Sequence, residues 1–127
     1  MGLFSAFFAP LVSSVSAVES APEAVADFIE NLDDFDNVNL YQGLVEDVLP
    51  KMDINADIVI MDPPRAGIHR KAVDALVNLS PRKIAYISCD PATLARDAKR
   101  LIAAGYELVE SILLDMFCDT SSFSSNP

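Results

Sequence analysis

Residues 57–67 read D-I-V-I-M-D-P-P-R-A-G, and residues 83–97 read K-I-A-Y-I-S-C-D-P-A-T-L-A-R-D. Each segment is an apolar run that breaks into a polar, proline-bearing turn. Continuous apolar runs of four to six residues suit strands buried on both faces. In an open parallel sheet the ligand crevice lies outside the carboxyl ends of the strands. The two turns would therefore place an acid (Asp62), a cation (Arg65) and a thiol (Cys89) on one rim.

Working outward, strands and helices alternate. Residues 3–12 read as helical and 15–19 as a short strand ending in Glu19. Pro22 suits a first helical position, and Val25, Phe28, Ile29 and Leu32 follow a 3-4 spacing, which predicts an amphipathic helix over 22–33. Strands are expected at 38–41, 57–61, 83–88 and 106–114. A short helix or turn is expected at 44–51, and helices at 69–79 and 91–104, the last closed by Gly105 in a left-handed cap. This alternation implies an α/β domain with a mostly parallel sheet. One domain over 1–117 is expected, followed by a polar, Ser-rich tail at 118–127 read as disordered.

The 127 residues are 51% hydrophobic and 22% charged, which fits a globular chain with its own core. The net charge of −10 does not suit a phosphate backbone, which calls for clustered Lys and Arg. The densest basic cluster is Arg65, His69, Arg70 and Lys71, with Arg82 and Lys83 nearby in sequence; a solvated helix start explains it equally well. Two cysteines, Cys89 and Cys118, are too few for a disulfide framework and indicate a reducing, cytoplasmic setting. No metal-ligand spacing occurs, and His69 is the single histidine. The run L-F-S-A-F-F-A-P-L-V at 3–12 has the look of a signal-peptide core. No Lys or Arg precedes Lys51, however, so the basic flank is missing, and the run is too short to span a membrane.

Three positions carry potential chemistry. Glu19 ends a strand before a helix, where an acid can accept from ribose hydroxyls, although a solvated strand-end acid is the simpler reading of position alone. Two prolines fix the chain after Asp62 and hold its carboxylate at the strand end. Cys89 precedes a helix that starts near Pro91, so backbone amides would favour a thiolate there. A lone buried cysteine acting as a small hydrophobe is an equal alternative.

At these residues the sequence resembles a known family. D-P-P-R-A-G and S-C-D-P-A-T-L-A-R-D, then G-Y-E-L and L-L-D-M-F, are similar to the RNA uracil-5-methyltransferases, with Asp90 where Asn is usual. G-L-F-S at 2–5 resembles the end of the family's first S-adenosylmethionine motif, and A-V-E-S-A-P-E-A-V at 17–25 its second. The resemblance covers nearly all of residues 2–117. It implies a Rossmann-like S-adenosylmethionine methyltransferase fold, truncated so that the first and last strands are missing. It implies Cys89 as nucleophile, Asp62 between cofactor and target base, and Gly2, Phe4, Glu19 and Asp62 on the cofactor. Arg65 and Pro91 would lie on the substrate side. The partner would be tRNA or rRNA, and a second chain could complete the sheet.

The departures shape the expectation. The chain starts inside the family's first glycine motif. After D-M-F, Ser122 and Ser124 stand where the family has a His and the proton-abstracting Glu, and serine is a poor base near neutral pH. The implied reading is methylation of uracil C5 in RNA by descent, with little or no activity in this chain. Two alternatives stand beside it: a non-catalytic binding or assembly module of the same fold, and an amino-methyltransferase of the Asp-Pro-Pro type. The latter would carry an aromatic where Arg65 stands.

Overall fold

The computed structural model describes residues 3–114 and 118–125. The chain divides into two compact units, residues 1–52 and 53–127.

In the first unit, helix α1 (Leu3–Phe8) runs into a 3-10 turn (Ala9–Leu11), and strand β1 (Val15–Glu19) pairs in parallel with β2 (Val38–Gln42). Between the strands lies α2 (Pro22–Leu32), with Pro22 at its start and Glu23 in its first turn. Both choices suit the unpaired amides and positive end of a helix N-terminus. Its buried stripe is Ala24, Phe28 and Leu32, at a strict spacing of four. Ile29, expected on that stripe, is instead exposed. Asn37 ties the unit together, donating from Nδ2 to the Ala9 and Val12 carbonyls at 2.6 and 3.0 Å. A short helix, α3 (Val45–Val48), continues as a 3-10 turn (Leu49–Lys51).

The second unit holds a four-stranded mixed sheet in the order β3-β4-β6-β5. The strands are β3 (Ile58–Met61), β4 (Lys83–Ser88), β5 (Tyr106–Leu114) and β6 (Cys118–Ser125). Helices α4 (Arg70–Leu79) and α5 (Pro91–Ala103) make the crossovers. β3 and β4 are parallel, with Ile58 opposite Lys83 and Met61 opposite Tyr86. The core gathers Val73 and Leu76 of α4, Ile84 and Tyr86 of β4, Leu101 of α5 and Phe123 of β6, all nearly inaccessible. Gly105 follows α5 at φ +104°, the left-handed position expected of it.

Three expectations change here. The Ser-rich tail is not disordered: it forms β6, antiparallel to both β4 and β5. A strand between two partners satisfies its backbone groups on both edges, so weak side chains are enough. Phe123 and Ser121 turn inward, and Ser121 sits 3.2 Å from Ser111 between their hydroxyls. β6 is thus a sixth strand beside the five that the sequence reading placed. Finally, β3 is less buried than its apolar run suggested, with Ile58 60% exposed, because β3 has one partner among the described residues.

Candidate active site

The parallel pairing of β3 and β4 brings Asp62 and Cys89 to the same end of the second unit's sheet. Met61 and Tyr86 are register partners, so Asp62 leaves β3 near the level of Ile87, two residues before Cys89. Both side chains are exposed, and Cys89 is a free thiol.

The turn around Cys89 is pinned on both sides. The Ser88 hydroxyl donates to the Asp90 carbonyl at 2.9 Å and accepts from the Asp90 amide at 3.1 Å. The Thr93 hydroxyl donates to the same carbonyl at 3.1 Å. Asp90 is the N-cap of α5: its Oδ1 accepts from the amides of Ala92 at 2.9 Å and Thr93 at 3.4 Å. Pro91 follows as the first helical residue and is exposed. These contacts hold Cys89 at the tip of a rigid corner. They also show that the helix-end amides expected to face the thiol are already taken by a carboxylate.

That arrangement makes a prediction. Asp90→Asn keeps the capping acceptor and removes one negative charge beside Cys89. In a Cys118→Ser background, Cys89 should react about two- to fivefold faster with anionic iodoacetate. Neutral iodoacetamide should change less. An unchanged ratio of the two rates would show that the Asp90 charge does not reach the thiol.

The loop after β3 is built as firmly. Gly67 donates its amide to the Pro64 carbonyl at 2.8 Å, closing a tight turn with Arg65 and Ala66 at its exposed tip. Gly67 has φ +80°, a region that glycine enters without penalty. α5 then clamps the loop. Arg96 donates to the Ala66 carbonyl at 2.7 Å, and Arg100 donates to the Ile68 carbonyl at 3.4 Å. Asp97, fully buried, accepts at Oδ2 from the Ile68 amide at 2.9 Å and from the Tyr86 hydroxyl at 2.6 Å. Its Oδ1 lies 3.2 Å from Arg96 and 3.5 Å from Arg100. Burial, reinforced by the bond to Asp97, pushes the Tyr86 phenol well above its usual range, so it remains a proton donor.

Sequence reasoning did not single out Ser88, Tyr86, Thr93, Arg96 or Asp97. Asp97 did leave a signal. It falls between Leu94 and Leu101 on the buried stripe of α5, and an acid on an apolar stripe calls for a partner.

Glu19 ends β1 in the first unit, where its Oε1 accepts from the amides of Ser20 and Ala21 at 2.9 and 3.0 Å. Gly2 and the Phe4 side chain lie outside the described residues. Ser122 and Ser124 do not reach the Cys89 end: they pair with Ala85 and Lys83, and Lys83 is the first residue of β4. Arg82 and Lys83 likewise sit at the opposite end of β4 from Cys89, away from the Arg65 turn. Among the described residues no cluster of His, Cys, Asp and Glu could hold a metal. No described helix is long and apolar enough to cross a membrane.

Known proteins share this sequence pattern and this architecture. The sequence model of the family described as tRNA (Uracil-5-)-methyltransferase matches residues 35–126. An uncharacterized RNA methyltransferase of Streptomyces coelicolor is 44% identical over 121 residues, covering 92% of this chain and 26% of the relative. One from Gloeobacter violaceus is 38% identical over 122 residues, covering 94% and 26%. The chain thus spans about a quarter of the length of these relatives. The crystal structure of Pyrococcus abyssi tRNA (uracil-54, C5)-methyltransferase, in complex with S-adenosyl-L-homocysteine, superposes with TM-score 0.80 at 28% identity. That match covers 96% of this chain and 31% of the other. An rRNA methylase from Streptococcus thermophilus superposes with TM-score 0.78 at 14% identity, covering 98% and 80%. The last likeness concerns fold alone: the architecture is that of the Rossmann-like methyltransferases.

Proposed function

Because the chain belongs to the tRNA (uracil-5-)-methyltransferase family, we propose that Asp62, Arg65 and Cys89 serve S-adenosylmethionine-dependent methylation of uracil C5 in RNA. The observation that carries this reading is the exposed Cys89 thiol, on its pinned corner, at the same sheet end as Asp62.

The residues present suit the cofactor's chemistry. The Glu19 carboxylate is oriented by two backbone amides through one oxygen, and a carboxylate at a strand end matches the donor pair of a ribose diol. When bound, S-adenosylmethionine supplies an electrophilic methyl group. Cys89 supplies the other half of the chemistry. Its thiolate adds to C6 of the uracil, forming an S–C6 bond and moving electron density onto C5. After methylation the C5 proton is removed, the electron pair re-forms the C5–C6 double bond, and the S–C6 bond breaks. A thiolate suits both steps because it attacks and departs readily. The target base must leave its stack to reach the thiol, and Pro91 and Arg65, the two residues assigned to the substrate side, are both exposed.

Removal of the C5 proton is where this chain differs. Ser124 and Ser122 lie toward the far end of β4, so neither supports proton abstraction at Cys89. The register favours a second reading, in which the chain binds RNA and adds Cys89 covalently but does not turn over.

The test uses the 127-residue chain, S-adenosylmethionine and a short single-stranded RNA carrying 5-fluorouridine; once C5 is methylated it holds fluorine in place of the proton, so the elimination is blocked. A denaturant-stable protein–RNA adduct is expected, and it should be abolished in Cys89→Ser. An adduct that survives in Cys89→Ser, or none in the parent chain, rejects Cys89 as nucleophile. With ordinary uridine RNA and S-adenosylmethionine, less than one methyl transferred per chain supports the second reading, and repeated turnover rejects it.

A further inference from the structure

The charge of this chain is distributed unevenly, and the fold concentrates the unevenness. Residues 65–71 and α5 hold six of the nine Lys and Arg: Arg65, Arg70, Lys71, Arg96, Lys99 and Arg100. They hold one of the nineteen carboxylates, Asp97, which is buried and faces two of those arginines. The rest of the chain sets three cations against eighteen carboxylates. The two basic segments are 20 residues apart in sequence, yet the hydrogen bonds from Arg96 to Ala66 and from Arg100 to Ile68 bring them together. Arg70 and Arg100 also line one groove between α4 and α5, with Asp74 its single carboxylate.

We infer that the 65–71 loop and the exposed face of α5 form a basic surface that takes the phosphates of single-stranded RNA beside the Cys89 rim. The inference rests on the RNA-directed reading above and extends it to how the strand is held.

Three features favour phosphates. Arg65, Arg70, Lys71 and Lys99 are all exposed, so their charges are available to a polyanion. The backbone beneath them is fixed by Asp97 and by the Gly67 turn, so the cations are carried on an ordered surface. The surroundings are acidic, including Asp62 and Asp90 at the rim itself. A phosphate is therefore repelled from the reactive corner and from the rest of the chain and attracted to this one face, which leaves the corner to a base. Arg82 and Lys83, grouped with Arg65 by sequence proximity alone, lie at the other end of β4 and are excluded.

The test measures binding of a short, fluorescent, uridine-containing single-stranded RNA to the 127-residue chain by anisotropy, from about 20 to about 200 mM salt, the range over which phosphate contacts are strongly screened. In the triple variant Arg70→Ala, Lys71→Ala, Lys99→Ala, affinity should fall at least tenfold at low salt. The slope of log affinity against log salt should shrink by about 2, because each phosphate neutralised on a single strand contributes about 0.7. The control Lys51→Ala, Arg82→Ala, Lys83→Ala changes net charge equally and should stay within twofold. Should the first triple variant lose its far-UV circular dichroism, the single changes Lys71→Ala and Lys99→Ala should each still weaken binding about threefold. Equal weakening in both triples would mean that net charge alone acts, and would overturn the proposal, as would no measurable RNA binding by the parent chain at the lowest salt. The Cys89 adduct reports separately. Patch-dependent binding without an adduct would sink the catalytic reading and leave the surface standing, whereas an adduct with patch-independent binding would do the reverse.

Discussion

Asp97→Ala is expected to destabilise the second unit by about 3–5 kcal/mol. Asp97 is inaccessible and has four partners. Removing it leaves the Ile68 amide and the Tyr86 hydroxyl buried without an acceptor, each at about 1–3 kcal/mol. The two arginine contacts add little, since their side chains are 45% and 35% exposed and water can replace the partner. Small domains hold only about 5–15 kcal/mol in total, so the loss should be visible as a large drop in the urea midpoint followed by far-UV circular dichroism. Asp97→Asn retains one carbonyl acceptor and should lose roughly half as much. Hydrogen exchange localises the effect, with the Ile68 amide losing most of its protection in Asp97→Ala. A loss below about 1 kcal/mol, or an Ile68 amide as protected as before, would show that Asp97 does not hold the loop.

The second large effect is at Gly67. A Cβ placed there would lie 2.5 Å from both Asp97 Oδ2 and Arg96 Nη2, and 3.3 Å from Thr93 Cβ. Arg96 is the flexible end of a long side chain and can swing away. Asp97 cannot, because the Tyr86 hydroxyl and the Ile68 amide fix the same oxygen. A side chain at φ +80° also costs about 1–2 kcal/mol by itself. Gly67→Ala is therefore expected to cost about 2–4 kcal/mol. It should also weaken the Cys89 adduct with RNA, since the displaced turn carries Arg65. The control is Gly105→Ala. It carries a similar backbone cost at φ +104° but meets nothing within 4 Å, so it should lose less stability and leave the adduct unchanged. Equal losses at the two glycines would remove the argument from Asp97.

Both predictions concern contacts between the two motifs that first marked this sequence. D-P-P-R-A-G and S-C-D-P-A-T-L-A-R-D are each legible as a strand leading into a turn. Their union is not legible, because it depends on where α5 lies against the β3 loop. The Arg96 and Arg100 hydrogen bonds span 30 and 32 residues, and no local pattern encodes such a pairing.

What the sequence determined by itself is local. β1, β4 and β5 occupy the residues that hydropathy patterning assigns to them, and α2 and α5 start or stop where Pro22, Pro91 and Gly105 constrain the backbone. Proline and glycine act through their own φ angles, so their effect needs no tertiary partner. Asp62 and Cys89 were likewise legible, because each follows a strand and a parallel pair must put both ends on one rim. The tertiary structure decided the rest. The tail became β6 because the slot between β4 and β5 offers two ladders of hydrogen bonds, which short serines accept as well as apolar residues do. That register carried Ser122 and Ser124 away from Cys89, whatever their alignment suggests. It also took a packed core to bury Asp97 and make a helix carboxylate the anchor of the loop, since the penalty for an unpaired charge arises only where water is excluded.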